Sequence, residues 1–579
     1  MGIPHYFRVI AQTYPGIIGL SMPPTDHIFF DFNGAIHQSA KKVIDQKKTQ
    51  NVNVNIVDLY DDPKLKDLSV SGDDEIDPIE KEIMDMVEEY VRTLTNLIKP
   101  KTGVYIYMDG VAPHAKLMQQ RKRRYLSMMR YKLLKTEPIW DTNAISPGTI
   151  FMIRLGAFLR KQLRYRPLKN DITTKFSFSD ENGEAEHKIF ASMACIPHDE
   201  KIMIHGLDAD LIMLSLLCHR PNITLMREYQ DSMDFQFLNI DKLREGILKE
   251  LSNTYKWPID AGVGIFDKLA CDAIESYIVW CFLLGNDFIP HMPTLHLQKF
   301  GLQKILAASQ HTMLVNSTTS EIDWDVMYHI LESLLTQEND IMYGLVSDSM
   351  RKFCHAKTDE EKVDMYPLLE ENKSDLTMEI HNGCGARMKN NPAWIPLYYK
   401  KLFHTRIHDL GVVSTACQEY TTGMEWTYRY YKRLARDSTW YYPYLYAPTM
   451  LDLANHIAIS KEDHAIMVQT WKEKYKVPTF IPDYVQLLCI LPPESIHLIP
   501  GKLRSVMTDP NLGCTHMYPR KYPILTFLKT RLWECSPVLP ALDIPLLQKN
   551  AEQIVTQIDR INPRKKATES FSRGFHISK

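Results

Sequence analysis

The chain has 579 residues, a formal net charge of −2, and a composition of 45% hydrophobic and 24% charged residues. These values are ordinary for a soluble globular protein, and they exclude overall basicity as a source of nucleic-acid binding, which would require local basic patches. The ten cysteines include no CxxC pair, which argues against a zinc ribbon and favours reduced thiols inside the cell. A transmembrane helix needs an apolar run of about 18 residues, and no run in this sequence approaches that length. No membrane partner is therefore expected.

In chain order, residues 1–300 alternate between strand-like and helix-like patterns, which predicts an α/β fold with a mostly parallel central sheet flanked by helices. One helix is clear over 80–98, where apolar residues recur at steps of three and four: Ile83, Met86, Val87, Tyr90, Val91, Leu94 and Leu97. The acidic segment before it, 58–79, is predicted to be a surface loop.

The pattern changes after about residue 300. Residues 306–390 mix polar runs with short helical patterns and are predicted to be a connecting or peripheral region. From Pro392 the chain becomes rich in aromatic residues, as in AWIPLYYKKLF (393–403) and WYYPYLYAP (440–448). We therefore predict four parts, at 1–305, 306–390, 391–548 and 549–579, the last being a C-terminal tail.

Seven carboxylates in short motifs of the first half are the candidate catalytic residues: Asp31, Asp109, Glu184, Glu186, Asp208, Asp210 and Asp287. Three of them end strand-like runs, at 27–31, 104–109 and 202–208. The carboxyl ends of parallel strands form the crevice in which open α/β sheets bind ligands. Seven carboxylates in one crevice would repel one another at pH 7, so either several are protonated or divalent cations lie among them. Oxygen ligands without a Cys/His set favour Mg²⁺ or Mn²⁺ over Zn²⁺.

Two pairs of acids point to the type of chemistry. Asp208 and Asp210, like Glu184 and Glu186, are two residues apart and would point the same way in an extended chain. Two metal ions about 4 Å apart would then activate a water and stabilise the leaving oxygen in phosphodiester hydrolysis. A single aspartate at a strand end is more often a helix N-cap or a solvated loop residue, so the interpretation depends on the number of acids.

The basic run AKLMQQRKRR is the second candidate element. Lys116, Gln120, Arg123 and Arg124 lie at i, i+4, i+7 and i+8, on one face of a helix for which Pro113 is a suitable start. Guanidinium forks and a lysine on one face would grip a terminal phosphate. The alternative is an ordinary solvated basic helix. A second stretch without acids, 154–169, carries six cations and is a candidate for the nucleic-acid path.

Aromatic residues are the third element. Most of one group is predicted to lie in the core, because aromatic clusters usually pack: Trp394, Trp426, Tyr430, Tyr441 and Tyr442. His37 and Trp440 are candidates to stack on nucleic-acid bases, since His37 lies about one helical turn beyond Asp31. A lone histidine is more often structural, and the spacing does not decide between the two.

Eight motifs follow one another in the order seen in Xrn-type 5′→3′ exoribonucleases: MGIPHYFR, DFNGAIH, YMDGVAPHAKLMQQRKRRY, SPGTIFM, GEAEHK, GLDADLIML, LLGNDFIPHMPTLHL and WYYPYLYAP. The sequence resembles that family strongly over about 1–300 and less closely over 390–545. The resemblance implies a 5′-nuclease, PIN-like core at 1–305 and a second, mainly helical, aromatic-rich region at 391–548 that closes the active site.

The resemblance also implies roles for residues. The seven acids would hold Mg²⁺ or Mn²⁺, as two ions, and Lys116, Gln120, Arg123 and Arg124 would bind a 5′-monophosphate. His37 and Trp440 would stack on the 5′ nucleotides. Single-stranded RNA with a 5′-monophosphate would be degraded processively to mononucleotides. The expected setting is mRNA decay in the cytoplasm or nucleus, with the decapping machinery as a partner.

Two departures from the family pattern are visible. Ala185 stands where the family usually has glycine. The sequence also stops near the end of the second family region, which resembles a viral or stripped-down member without the C-terminal domains of larger cellular relatives. Two other classes remain alternatives. A flap-type, structure-specific DNA nuclease would share the acidic α/β site, and a catalytically inactive protein would bind RNA 5′ ends without cleavage.

Overall fold

The computed structural model describes residues 3, 5–49, 76–169, 171–206, 208–228, 234–259, 262–383, 392–405, 409–434, 437–460, 466, 469 and 480–561. In this part of the chain, seven strands form one sheet in the order β1-β7-β6-β5-β2-β3-β4. Their bounds are β1 (Ile18–Gly19), β2 (His27–Asp31), β3 (Gly103–Tyr107), β4 (Thr173–Ser177), β5 (Ile202–His205), β6 (Ile223–Glu228) and β7 (Phe235–Asn239). The five neighbouring strands β6, β5, β2, β3 and β4 are parallel to one another. Strand β7 pairs antiparallel with both β6 and β1. The predicted mostly parallel sheet is confirmed.

Helices flank this sheet and are the main regular structure in the second half of the described chain. In the first half they are α1 (Tyr6–Thr13), α2 (Phe32–Thr49), α3 (Pro78–Ile98), α4 (His114–Leu134), α5 (Ile150–Tyr165), α6 (Ala185–Met193), α7 (Asp210–Leu217), α8 (Ile240–Asn253) and α9 (Lys268–Phe282). In the second half they are α10 (Gly301–Ala308), α11 (Trp324–Met350), α12 (Asp359–Asp364), α13 (Asp375–Gly383), α14 (Trp394–Leu402), α15 (Leu410–Tyr431), α16 (Met450–Ile459), α17 (Asp483–Ile490), α18 (Ser505–Thr508) and α19 (Ile544–Ile561). Two short ladders pair β8 (Val315–Asn316) with β9 (Glu321–Ile322), and β10 (Ile524–Leu525) with β11 (Ser536–Pro537).

The central strands are buried on both faces. Every residue of β2, β3 and β5 is buried, which explains their near-continuous apolar sequences. One core cluster covers the face that carries Phe29 and Ile204, and a second covers the face that carries Phe30 and Met203. Because both faces are closed, the open end of these strands is the place where polar side chains can gather.

Helix α3 confirms the predicted periodicity except at its last position. Ile83, Val87, Val91 and Leu94 are buried, whereas Leu97 is 46% exposed, because the buried stripe continues at Ile98 instead. The side chain of Asp77 caps the helix by accepting a hydrogen bond from the backbone N–H of Ile79 at 2.7 Å. Of the predicted loop 58–79, residues up to 75 lie outside the described residues, and the last two already belong to α3.

The predicted connecting segment 306–390 contributes to two cores. Near its start, α11 buries Met327 and Leu331 in the cluster shared with α9, and further along it buries Met342 and Val346 against Trp394. Helix α19 spans the boundary between residues 548 and 549, where the tail is predicted to begin, and buries Leu547 and Ala551. The boundaries at 305, 390 and 548 stay predictions, and the packing shows that the parts share cores.

Two further findings concern the described residues as a whole. The nine cysteines among them are all free thiols. None of the described helices combines the length and the apolar character needed to cross a membrane.

Candidate active site

Three aspartates meet at the carboxyl edge of the sheet. Asp31 is the last residue of β2, Asp109 follows β3 by two residues, and Asp208 follows β5 by three. Because β2 lies between β3 and β5, these side chains gather in the crevice expected from the sequence. Burial raises the pKa of Asp31 well above its usual value, and the charges of Asp109 and Asp208 raise it further.

Asp109 is fixed by hydrogen bonds to both of its oxygens. The side-chain amide of Asn33 donates to Oδ2, and the backbone N–H of Ala185 donates to Oδ1, each at 2.8 Å. The next residue, Gly110, allows a close approach of two loops, because a Cβ there would lie 1.7 Å from the carbonyl oxygen of Glu181. The alanine at position 185 is the first residue of α6, where no glycine is required.

The two acid pairs do not lie in extended chain, and that prediction is wrong. Glu184 is the N-cap of α6 and Glu186 lies in its first turn, whereas Ala209 is helical and Asp210 begins α7. Both pairs therefore stand where a helix begins, a place at which the helix dipole favours carboxylates. The first turn of α6 brings Glu184 and Glu186 to the same lysine, Lys116, whereas Asp208 lines the cavity described below and Asp210 does not.

The ammonium group of Lys116 lies among three of the acids. Its Nζ is 2.6 Å from Glu184 Oε1, 3.0 Å from Asp287 Oδ2 and 3.9 Å from Glu186 Oε1. Burial alone would lower the pKa of Lys116, but these carboxylates raise it above its usual value, so the lysine is charged. In return, although burial raises the pKa of Asp287, nearby positive charges including Lys116 hold it below the ordinary range.

Two of the remaining acids, Glu186 and Asp210, also have raised pKa values. Burial raises the pKa of Glu186 well above its usual value, and the charge of Glu184 adds to this; burial and Asp287 raise the pKa of Asp210 to about 6. Among the described residues, no three of the acids already form a ready-made ligand set around one point. The donors are all oxygens and they repel one another, so their chemistry fits a hard divalent cation.

One cavity of about 320 Å³ joins the acids to the basic helix. Asp31, Asp109, Glu186 and Asp208 line this cavity together with the predicted face of α4, which contributes Lys116, Gln120, Arg123 and Arg124. Glu184, Asp210 and Asp287 are not among the lining residues. The ammonium group of Lys116 links Glu184 and Asp287 to the cavity.

Helix α4 presents different cations to its two sides. Toward the cavity, Arg124 donates to Ser146 Oγ at 2.6 Å; burial and the neighbouring charge of Arg123 lower its pKa to about 9, so it stays charged at neutral pH. Away from the cavity, Arg121 donates to the carbonyl oxygens of Met517 and Pro540 at 2.6 and 2.7 Å. The helix therefore joins the first region, predicted at 1–305, to the second region, predicted at 391–548.

On the face of α4 that lines the cavity, two buried polar atoms have no hydrogen-bond partner among the described residues: Gln120 Oε1 and Arg124 Nε. Buried polar groups are normally satisfied, so these atoms are available to a ligand. The stretch 154–169 contributes no residue to the cavity lining. Two of its arginines pair elsewhere, Arg154 with Glu80 at 3.5 Å and Arg160 with Asp180 at 2.7 Å.

The two predicted stacking residues lie in different places. His37 lines the cavity, where desolvation and then the guanidinium groups of Arg123 and Arg124 lower its pKa to about 4, so its ring is neutral. Trp440 is not among the lining residues. Its ring lies 5.2 Å from that of Trp426, and its Nε1 donates to Glu419 at 3.0 Å.

The aromatic group is mostly core, as predicted, with one exception of consequence. Trp394, Trp426 and Tyr442 are buried. The hydroxyl of Tyr430 donates to Glu184, and that of the next residue, Tyr431, donates to Asp210 at 2.7 Å. These two tyrosines and Asn33 are site residues for which the sequence predicted no role. Asn33 had a signal, because it stands in the motif DFN, whereas the tyrosines had none.

Comparison with known families agrees with this arrangement. The family model described as XRN 5′-3′ exonuclease N-terminus matches residues 1–229, and the model described as Xrn1 helical domain matches 270–393 and 386–569. The chain belongs to the XRN 5′-3′ exonuclease family. Membership in this nuclease family implies dependence on a divalent metal ion.

Three relatives are informative. A human protein described as 5′-3′ exoribonuclease 1 is 26% identical, over 94% of this chain and 33% of its own length. The protein of the same description from Saccharomyces cerevisiae is 24% identical, over 99% of this chain and 44% of its own. A Gallus gallus protein described as 5′-3′ exoribonuclease 2 is 24% identical, over 96% and 70%. The chain thus spans less than half the length of the exoribonuclease 1 relatives.

Proposed function

We propose that this chain degrades single-stranded RNA from a 5′-monophosphate end, in the 5′→3′ direction, processively and to mononucleotides. The observation that carries the proposal is one cavity that is lined both by carboxylates and by the basic face of α4. A terminal phosphate held by α4 would place the adjoining phosphodiester beside the acids. The three relatives are described as 5′-3′ exoribonucleases, which agrees with an RNA substrate and with this direction.

The seven acids named above would hold Mg²⁺, or Mn²⁺, as two ions. When bound, the metal would supply an activated water and stabilise the leaving oxygen of the phosphodiester. The charge of Lys116 helps to keep Asp287 ionised, so that this carboxylate is available as an oxygen donor. Because Lys116 also lines the cavity, the same ammonium group would contact the phosphate of the substrate.

The 5′-phosphate pocket would consist of Lys116, Gln120, Arg123 and Arg124. Arg123 and Arg124 are adjacent and repel each other, and a phosphate between their guanidinium groups would relieve that repulsion while accepting paired hydrogen bonds. A 5′-hydroxyl end would lack this charge. A cavity of about 320 Å³ that has to accommodate the first nucleotide of the RNA would have no room for a cap as well.

The stacking residues would hold the first bases of the strand. The neutral ring of His37 lies in the cavity, and Trp440 is supported from behind by Trp426. Stacking on aromatic rings tolerates any base sequence, which suits degradation of a whole strand. The proposed setting is cytoplasmic mRNA decay, with the decapping machinery supplying the 5′-monophosphate ends.

The test compares three RNAs of one sequence that carry a 5′-monophosphate, a 5′-hydroxyl or a cap, in the presence of Mg²⁺. We expect rapid digestion of the first alone, and equal digestion of all three would contradict the phosphate pocket. Arg123→Ala should reduce the preference for the monophosphate by at least about tenfold, the loss of one charged contact of ~1.5–3 kcal/mol. Arg130→Ala is the matched control, since Arg130 lies on the same helix but pairs with Asp364 outside the cavity.

Two other results would redirect the proposal. Preferential cleavage of branched DNA would support a flap-type nuclease. Tight binding of monophosphorylated RNA without cleavage, at any metal concentration, would support a catalytically inactive protein that binds RNA 5′ ends.

A further inference from the structure

Helix α15 of the second region reaches the acids of the first region through two consecutive residues. The hydroxyl of Tyr431 donates to Asp210 Oδ1 at 2.7 Å, and the hydroxyl of Tyr430 donates to Glu184 Oε2. The partners are separated by 221 and 246 residues in the sequence. These contacts are a direct polar link between the helical region and the cluster of carboxylates.

The link is shielded from water. Glu184 is 1% exposed, Asp210 4% and Tyr431 5%. In such an environment a hydrogen bond to a charged group is stronger than at the surface, because no solvent competes for the carboxylate. The hydroxyls therefore restrict the rotation of both acids.

The two rings are themselves held in place. The ring of Tyr430 lies between those of His187, at 4.0 Å, and Trp426, at 4.7 Å with nearly parallel planes. The ring of Tyr431 meets Phe282 edge-on at 5.5 Å. Because the rings cannot turn freely, each hydroxyl is a donor with a fixed position.

Glu184 has a polar partner at each of its two oxygens. Tyr430 donates to Oε2, and the ammonium of Lys116 lies 2.6 Å from Oε1. One of these groups comes from the second region and the other from α4. The orientation of this carboxylate is thus set by both halves of the chain.

We propose that Tyr430 and Tyr431 are positioning residues, which orient Glu184 and Asp210 for a divalent cation, so that the helical region completes the metal site. The inference rests on the proposed function, in which these acids hold the metal. Carboxylates that bind metal are commonly oriented by such hydrogen bonds, and loss of one typically costs about 10–100-fold in affinity or activity.

The test uses the full chain with Tyr430→Phe and Tyr431→Phe, which remove one oxygen and keep each ring. Binding of Mn²⁺ to the protein without RNA is measured by calorimetry and by electron paramagnetic resonance. We expect each variant to bind Mn²⁺ at least about tenfold more weakly. The Mg²⁺ concentration for half-maximal RNA cleavage should rise by a similar factor, and excess Mg²⁺ should restore most of the rate.

Tyr428→Phe is the matched control. Tyr428 lies on the same helix, is fully buried and donates to the carboxylate of Glu275, so the change removes the same kind of hydrogen bond away from the acids. We expect this variant to lose stability, measured by its melting temperature, and to bind Mn²⁺ as the unmodified chain does. The stability of the two test variants is measured in the same way, and either one that folds is sufficient for the comparison.

The possible outcomes are distinct. If both test variants bind Mn²⁺ like the control, the tyrosines serve only packing and this inference fails, while the proposed function stands. If the unmodified chain binds no Mn²⁺ and cleaves no RNA, the proposed function fails, and this inference fails with it.

Discussion

Lys116 belongs to two sets of residues at once. Its Nζ contacts Glu184 and Asp287, and the same side chain lines the cavity with Gln120 and Arg123. A lysine with this many acidic neighbours stays charged, because they stabilise the ammonium group against the cost of burial. The acid cluster and the proposed phosphate pocket are therefore coupled through one residue.

At this scale Asp208 offers the clearest test of the acid cluster, because it reaches the cavity and is exposed there. We expect Asp208→Ala to lower the rate of RNA cleavage by more than about 100-fold, beyond the effect typical of losing a supporting group. Binding of 5′-monophosphorylated RNA should persist, since Arg123 and Arg124 are unchanged. Cleavage rates and fluorescence anisotropy measure the two properties.

A matched control for that variant is Asp359→Ala, at an aspartate whose side chain is 86% exposed on α12. It should leave both cleavage and binding unchanged. Full activity in Asp208→Ala would contradict a catalytic role for the acid cluster.

The sequence was informative about residues whose surroundings are local. Asp31 and Asp109 could be placed because apolar strands precede them, and the face of α4 could be placed from helical spacing alone. The roles of Tyr430 and Tyr431 could not be predicted, because their partners lie more than 200 residues away and a run of aromatic residues also fits an ordinary core.

At the scale of elements, α15 packs closely where it passes Trp440. A Cβ at Gly423 would lie 2.5 Å from Ile289 Cγ2 and 2.7 Å from Trp440 Cη2. We expect Gly423→Ala to lower the free energy of unfolding by about 1–3 kcal/mol through overpacking, measured by denaturant titration. Because the displaced ring is that of Trp440, affinity for single-stranded RNA should fall as well.

Gly344 provides the control for this prediction. It lies within α11, is exposed, and a Cβ there would meet nothing within 4 Å. Gly344→Ala should raise the free energy of unfolding by about 0.5–1 kcal/mol, because alanine favours the helix. Equal effects of the two substitutions would contradict the close packing of α15.

Prediction from the sequence also succeeded or failed element by element. The apolar runs of β2, β3 and β5 and the helical period of α3 were strong signals, and these elements lie where the patterns indicate. The acid pairs at 184–186 and 208–210 were predicted in extended chain, but the helices α6 and α7 begin there. A helix start after a short loop leaves little periodic signal, so spacing alone does not distinguish it from the end of a strand.

At the scale of the whole molecule, Glu338 joins α11 to α16 inside a shared core. It is 3% exposed, accepts a hydrogen bond from the backbone N–H of Met450 at 2.9 Å, and has a pKa raised by burial to about 7. In the unfolded chain its pKa would be near 4.5. The folded state therefore binds the proton more tightly, and the stability gained is complete below about pH 4.5 and is lost as pH rises through about 7.

This predicts a pH-dependent effect of Glu338→Gln, which cannot ionise and retains an acceptor for Met450. Relative to the unmodified chain, the variant should gain stability between pH 5 and pH 8, by up to about 3 kcal/mol. Melting temperatures at the two pH values measure the gain. A difference that does not change with pH would show that Glu338 is already ionised in the folded protein.

The two sides of α4 have a practical meaning for anyone who screens variants of this chain. Arg121 never faces the cavity, yet it ties the helix to the backbone near Met517 and Pro540. A mutational screen that measures only RNA cleavage would find a similar loss of rate for variants of Arg121 and for variants of Arg123 or Arg124, although the causes differ. The melting temperature separates the two causes. Loss of Arg121 should lower both the melting temperature and the rate of RNA cleavage, whereas loss of Arg123 or Arg124 should lower the rate alone.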